Sequence, residues 1–171
     1  SLLWHNGLLF AAGSFTRIGG IDAVGIACWD GERWKALGSG LASRSGINGR
    51  VMIGSGQNIY VGGAFSQAGG QSITSIARWD GNNWHALGGG VSIAPLNQQR
   101  TVTSLFSLSD RLFVGGAFLT AGTDRSIRYF AMLKDDSWNS VGPHYDVRDG
   151  RLRLTLTNEI GQPYRVESSE D

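Results

Sequence analysis

The sequence predicts an all-β chain assembled from repeated antiparallel units, and three observations carry that expectation. Glycine supplies 26 of 171 residues against only 3 prolines, and the glycines fall between short apolar runs. That is the composition of short strands joined by tight turns, not of collagen or a proline-rich linker. No segment shows a helical period, whereas "SIARWD" alternates, setting Ile76 and Arg78 on one face and Ala77 and Trp79 on the other. Finally, the chain repeats itself. "LFAAGSFTRIGGIDAVGIACWDGERWKALGSG" (9–40) aligns without gaps on "IYVGGAFSQAGGQSITSIARWDGNNWHALGGG" (59–90), at an offset of 50 residues.

The repeated positions are Gly13, Phe15, Trp29, Gly31 and Trp34 in the first copy, and Gly63, Phe65, Trp79, Gly81 and Trp84 in the second. A third copy, "LFVGGAFLTAGTDRSIRYFAMLKDDSWNSVG" (112–142), is more diverged. Its Gly116 and Phe118 lie 53 residues beyond Gly63 and Phe65, and Trp138 lies 54 beyond Trp84. One residue is therefore inserted between Phe118 and Ala131, and Leu133 stands where Trp79 does.

Each copy reads as four strands. "NIYVGGAF" is a strand ended by a glycine pair, "SIARWD" follows, "GNN" reverses the chain and "WHAL" returns. An earlier apolar strand precedes each glycine pair: "SLLWHNG" (1–7), "RVMIGSG" (50–56) and "TVTSLFSLSD" (101–110). Four antiparallel strands in about 50 residues is the pattern of a β-propeller blade. A solenoid has a shorter repeat and fewer hairpins, and a sandwich needs no internal repetition. The expected organisation is three blades, 1–40, 47–90 and 100–142, followed by a partial strand region at 143–171.

"IYVGGAF" followed by "ARWDGNNWHAL" resembles kelch-type repeats, in the order apolar strand, glycine pair, aromatic-Asp strand end, then Trp. The fuller pattern is similar to repeats in large secreted or surface-attached bacterial proteins and in fungal cortical marker proteins of cell polarity. It covers residues 1–142, with Trp-Asp-Gly-x-x-Trp as its most specific element. The spacing of five between Trp79 and Trp84 is shorter than the usual kelch spacing. The resemblance implies an extracellular or cell-surface location and a protein or glycan partner. Propellers close with about 4–8 blades, so the ring is expected to be completed by further blades upstream or by a second copy making six.

The tail, "DGRLRLTLTNEIGQPYRVESSED" (149–171), lacks the glycine and Trp elements. Leu152, Leu154 and Leu156 alternate with Arg153 and Thr155 as one half-buried strand. Two readings stay open: a first strand of a fourth blade, or the opening of a small fibronectin-like β-sandwich module, which "GQPYRVESSED" resembles.

Composition excludes several functions. The formal charge is +1 with no Lys/Arg block, so no nucleic-acid partner is expected. No apolar run reaches the length of a membrane-spanning helix. No charged segment followed by an apolar stretch precedes the repeats, so any secretion signal is expected to lie upstream or to have been removed. The glycine runs at 38–40, 54–56 and 88–90 lack a following Lys-Ser/Thr and helix, so they are not phosphate loops. His5, His85 and His144 occupy different repeat positions, so neither metal nor cofactor is expected. Cys28 is the single cysteine and aligns with Arg78, which suggests partial exposure, and a buried or inert thiol is expected there rather than a nucleophile, since no His partner lies in the same repeat.

The Trp pairs bracket hairpin turns, where they pack across strands rather than stack on sugar, and Asp30 and Asp80 are placed to accept turn N–H bonds. Function is expected on the other face, whose loops differ between copies. These carry Arg17, Asp22, Arg44, Asn48, Gln67, Gln71, Asn97, Gln98, Arg100, Asp124 and Arg125. Loops on a rigid scaffold commonly hold recognition residues. The expectation is a non-catalytic binding or display scaffold. The enzymatic alternative, a glycosidase or lyase, needs two facing carboxylates, and only Asp22 and Asp124 fall on that face.

Overall fold

The computed structural model describes residues 1–43, 46, 48–87, 91–92, 101–108, 111–118, 120–121, 129–134, 144–148, 151–157 and 163–167. Among them every regular element is a β-strand, and the sheets are small and antiparallel. The chain divides into two compact units, Ser1–Trp138 and Asn139–Asp171.

The strands follow one another closely. The first copy supplies β1 (Leu2–His5), β2 (Leu8–Ala12), β3 (Arg17–Ile18), β4 (Ile21–Asp22), β5 (Ile26–Trp29) and β6 (Trp34–Ala36). Next come β7 (Leu41–Ala42), β8 (Gly49–Ser55), β9 (Asn58–Gly63), β10 (Gln67–Ala68), β11 (Ile76–Trp79) and β12 (Trp84–Ala86). The third stretch holds β13 (Val91–Ser92), β14 (Thr101–Leu108), β15 (Arg111–Ala117), β16 (Thr120–Ala121) and β17 (Phe130–Lys134). In the second unit, β18 (His144–Arg148), β19 (Arg151–Thr157) and β20 (Pro163–Glu167) form a three-stranded sheet in that order. Leu152, Leu154 and Leu156 all lie on β19, whose pairing partners β18 and β20 both come from residues 143–171. Trp138, the third copy's hairpin Trp, lies outside the described residues.

Two four-stranded sheets have the same order, β1-β2-β5-β6 and β8-β9-β11-β12, and a three-stranded sheet runs β14-β15-β17. Hairpin chemistry explains the tight connections. Asn6 and Gly7 both take positive φ, 48° and 77°, which a two-residue hairpin between His5 and Leu8 requires.

Because side chains alternate across each strand, each sheet has two faces. Phe10, Ile26 and Cys28 of the first sheet pack against Met52, Ile59, Val61 and Trp84 of the second. From the opposite face of the second sheet, Tyr60 and Ile76 pack against Val102, Leu112 and Val114 of the third. Burying residues such as Ile26, Val61 or Leu112 stabilises the chain by about 1.5–3 kcal/mol each. The partial exposure expected for Cys28 from its alignment with Arg78 is corrected here: the thiol is buried, only 8% exposed. Arg78 stands at the same position in the second sheet and is half-buried, but Cys28 lies on the face that the second sheet covers. Burial pushes its thiol pKa up, against a smaller lowering by Lys35.

Three pairs of two-residue strands escape any sequence pattern. β3 pairs β4 within one hairpin, whereas β7 pairs β10 and β13 pairs β16 across successive copies. The loops on that side are thereby stitched together. Leu41 N–H donates to Val24, Ser66 N–H to Ala42 and Gly69 N–H to Gly40.

Candidate functional site

The repeated hairpins are fully engaged in structure. Trp29 pairs with Trp34 and Trp79 with Trp84 in register, their ring centroids 5.7 and 5.2 Å apart at tilts of 54° and 51°. Such pairs contribute about 0.5–1.5 kcal/mol beyond area burial. Gly31 and Gly81 adopt φ of 101° and 102° in the turn between them, a conformation L side chains rarely take. Asp30 Oδ1 accepts the N–H groups of Glu32 and Arg33 at 3.0 and 2.9 Å. Asp80 Oδ1 accepts those of Asn82 and Asn83 at 2.8 and 2.7 Å.

The second carboxylate oxygen of each aspartate meets a side-chain nitrogen. Lys35 Nζ lies 2.6 Å from Asp30 Oδ2, and His85 Nε2 lies 2.6 Å from Asp80 Oδ2. The Lys35 hydrogen bond and then the turn N–H groups hold Asp30 well below the usual carboxylate range. At Asp80 the N–H groups of Asn83 and Asn82 act first and His85 adds to them, lowering the carboxyl to about 2. These aspartates are ionised turn caps, not general acids.

His5 is also structural. Its Nε2 lies 3.0 Å from the Gly56 carbonyl, which Asn6 Nδ2 also reaches at 2.9 Å, so the first hairpin turn is clipped onto the second. Among the described residues no group of three or more His, Cys, Asp or Glu side chains converges as metal ligands.

The opposite, loop-bearing side holds the candidate ligand residues. Arg17 and Asp22 face each other across the β3–β4 hairpin, with Nε 3.0 Å from Oδ1 and the side chains 69% and 88% exposed. Arg17 Nη2 also donates to the Gly20 carbonyl at 3.3 Å. A pair this open contributes about 0–1 kcal/mol, so it offers donors and acceptors outward at little structural cost. Gln67 is exposed and sits on β10 opposite Ala42. Gln71 Nε2 donates to the Trp84 carbonyl at 3.5 Å, which fastens its loop to the hairpin strand below.

Asn48 departs from the expectation. It is 5% exposed, its carbonyl accepts the Ala64 N–H at 3.0 Å, and a Cβ on Gly25 would stand 2.6 Å from its own Cβ. The segment turns inward there, so Asn48 is framework and presents nothing to solvent. Arg44, Asn97, Gln98, Arg100, Asp124 and Arg125 lie outside the described residues. Asp22, half of the carboxylate pair a sugar-cleaving reading needs, is engaged by Arg17.

Sequence reasoning missed the most specific framework contact. Trp84 is 3% exposed, and its Nε1 donates to the Leu37 carbonyl at 2.9 Å, which ties the second sheet to the chain leaving the first. The Trp repeat marked the residue, but no local pattern names a partner 47 positions away.

No protein-family model matches the chain, and no curated protein sequence matches it significantly. No described helix is long and apolar enough to cross a membrane, which leaves β-barrel insertion unaddressed.

Proposed function

We propose that the chain is a kelch-like β-propeller segment serving as a non-catalytic binding or display scaffold in an extracellular or cell-surface setting. Its partner is a protein or a glycan, held by the loops that connect the second strand to the third and one sheet to the next. The observation that carries this reading is a division of labour. In the first two copies the repeated hairpin residues, Trp29, Trp34, Trp79, Trp84, Asp30, Asp80, Gly31 and Gly81, are occupied in packing and turn capping, whereas Arg17 and Asp22 stand in solvent on a hairpin fixed to the framework. Planar guanidinium donors beside a carboxylate suit the hydroxyl groups of a sugar or the backbone of a peptide. The stitched loops, with Gly69 bonded to Gly40 and Leu41 to Val24, supply the rigidity that makes such recognition inexpensive in entropy.

The test uses a glycan array and surface-displayed candidate proteins, probed with the parent chain and with Arg17→Ala/Asp22→Ala. A second pair, Arg44→Ala/Arg100→Ala, covers the rest of the same loops. The reading predicts that capture falls at least about tenfold, the equivalent of 1.4 kcal/mol, with the melting temperature unchanged. Full capture by both double variants overturns it.

A further inference from the structure

Successive sheets of the first unit meet at two seams, each made by the trailing face of one sheet and the leading face of the next. Register fixes which residues correspond between the seams. By the 50-residue offset, Ala12 and Gly25 of the first sheet match Gly62 and Ser75 of the second. On the other side of each seam, Gly49 lies opposite Gly63 and Val102 opposite Gly116, with the same irregularity just beyond. Asn48 and Gly49 of the second sheet therefore match Thr101 and Val102 of the third.

The two seams distribute bulk in opposite ways. In the first, Ala12 supplies it and Gly49 gives way: a Cβ on Gly49 would stand 2.7 Å from the Ala12 Cβ. In the second, Val102 supplies it and Gly62 gives way: a Cβ there would overlap Val102 Cγ1 and stand 2.9 Å from its Cβ. The neighbouring pair is exchanged in the reverse sense. Asn48 fills the space beside Gly25, where a Cβ would lie 2.6 Å from the Asn48 Cβ and 2.7 Å from its Nδ2. At the second seam the earlier sheet carries a Cβ at that place, on Ser75, and the later sheet carries the shorter Thr101. Wrong neighbours therefore collide. A second sheet docked on another second sheet brings Ser75 onto Asn48, and a third sheet docked on a first brings Val102 onto Ala12. Ala12 and Asn48 are only 5% exposed and Val102 and Ser75 0%, so close packing leaves no room to move aside.

A second observation separates these pairs from ordinary packing. Asn48 Oδ1 and Ser75 Oγ are buried without a hydrogen-bond partner among the described residues. A buried oxygen left unpaired costs stability, and such residues are retained where they discriminate between alternative structures. We propose that the four pairs form a steric key that fixes which sheet follows which. Repeats alike in sequence are thereby kept from exchanging neighbours, within one chain or between two, which is the characteristic failure of repeat proteins. The key lies in the seams and is independent of the ligand loops, so loss of one leaves the other standing.

Two double-mutant cycles and one refolding measurement test the key, all on the full 171-residue chain. In urea denaturation, Gly25→Ser lowers the folding constant about thirtyfold in the parent but only about threefold in the Asn48→Thr chain, where space has been made. Gly62→Ala behaves likewise against Val102→Gly, its loss shrinking at least about fivefold. What remains comes from Val51, whose Cγ1 would stand 2.9 Å from the new methyl. If one single variant does not fold, the other cycle decides. Losses that are equal in both backgrounds overturn the proposal. Order is read from refolding. Ser75→Gly removes the collision that keeps one second sheet off another, so this variant gains stability yet refolds less cleanly. Diluted from urea to about 100 µM, it yields an associated fraction at least about threefold above the parent's by light scattering, with no excess at about 1 µM. A Ser75→Gly chain that refolds as cleanly as the parent at both concentrations overturns the proposal.

Discussion

Trp34 and Trp84 occupy one register position in two sheets of the same strand order, and their surroundings differ. Each pairs with its hairpin partner, and each lies under a glycine of its own loop, Gly19 or Gly69. Trp84 is then covered by the first sheet and donates to the Leu37 carbonyl. Trp34 is half-buried on the leading face of the first sheet. Local sequence thus makes the hairpin in both places, and the neighbouring sheet adds the seal in one. The stability contributed by a repeated residue depends on whether its repeat has a neighbour, as nearest-neighbour behaviour in stacked repeats requires.

Substitutions at the two tryptophans break the comparison most directly. Trp84→Ala removes a sealed ring and is expected to cost about 3–5 kcal/mol in urea denaturation, whereas Trp34→Ala costs about 1–2 kcal/mol. Equal costs would mean that the sheet interface contributes nothing at this position. The glycines above the rings come next. Both take φ near 60° (56° at Gly19, 60° at Gly69), and a Cβ at either position runs into the indole beneath it, at 2.6 Å from Trp84 Cδ1 for Gly69. Trp34 has room to shift outward and Trp84 has none. Gly69→Ala is therefore expected to destabilise by about 2–3 kcal/mol and Gly19→Ala by about 1 kcal/mol, read from the same titrations.

A smaller effect tests a position the repeat alignment left unremarked. Gly25, Ser75 and Tyr129 all adopt positive φ, at 70°, 63° and 64°. The cause is backbone bonding common to the three. Each carbonyl accepts the N–H of Gly13, Gly63 or Gly116, and each N–H donates to Phe15, Phe65 or Phe118. Ser75→Gly relieves the strain and is expected to stabilise by about 0.5–1 kcal/mol, once the extra backbone entropy of glycine is subtracted. Gly25→Ser meets Asn48 as well as the strain and is expected to destabilise by about 2 kcal/mol. Melting temperatures of the two variants, moving in opposite directions, check this.

The smallest effect is read by pH at the turn cap of the second hairpin. Asp80 is depressed to about 2 in the folded chain, below its ordinary 3.8. A depressed carboxyl stabilises fully above the unfolded value and loses that contribution as pH falls through the folded one. The stabilisation from Asp80 therefore fades between about pH 4 and pH 2, and Asp80→Asn flattens the stability profile in that window. An unchanged profile in the variant would show that the turn bonds do not discriminate between the charged and neutral forms.

Legibility in the sequence followed the range of the interactions. The Trp hairpins, their Asp caps and the strand positions were readable because each is decided within a few residues. The two-residue strands β7 and β10 were not, since nothing in Leu41–Ala42 or Gln67–Ala68 announces a partner in another copy. The positive-φ site was hidden for a related reason. Glycine, serine and tyrosine share no chemistry, and their conformation is imposed by the two backbone bonds around them. On the ligand face, variation between copies was read as exposure. That held for Arg17 and Asp22, but at Asn48 the variable residue is buried beside Gly25.

Exchange of the indole N–H protons tests the central claim, that a neighbouring sheet seals one tryptophan of the repeat and not the other. Nuclear magnetic resonance of the chain follows Trp34 and Trp84 Nε1–H in deuterated buffer. The account predicts that Trp84 exchanges only on unfolding, because its proton is held by Leu37 beneath the first sheet, while Trp34 exchanges without it. Equal protection of the two indoles, or faster exchange at Trp84, would contradict it.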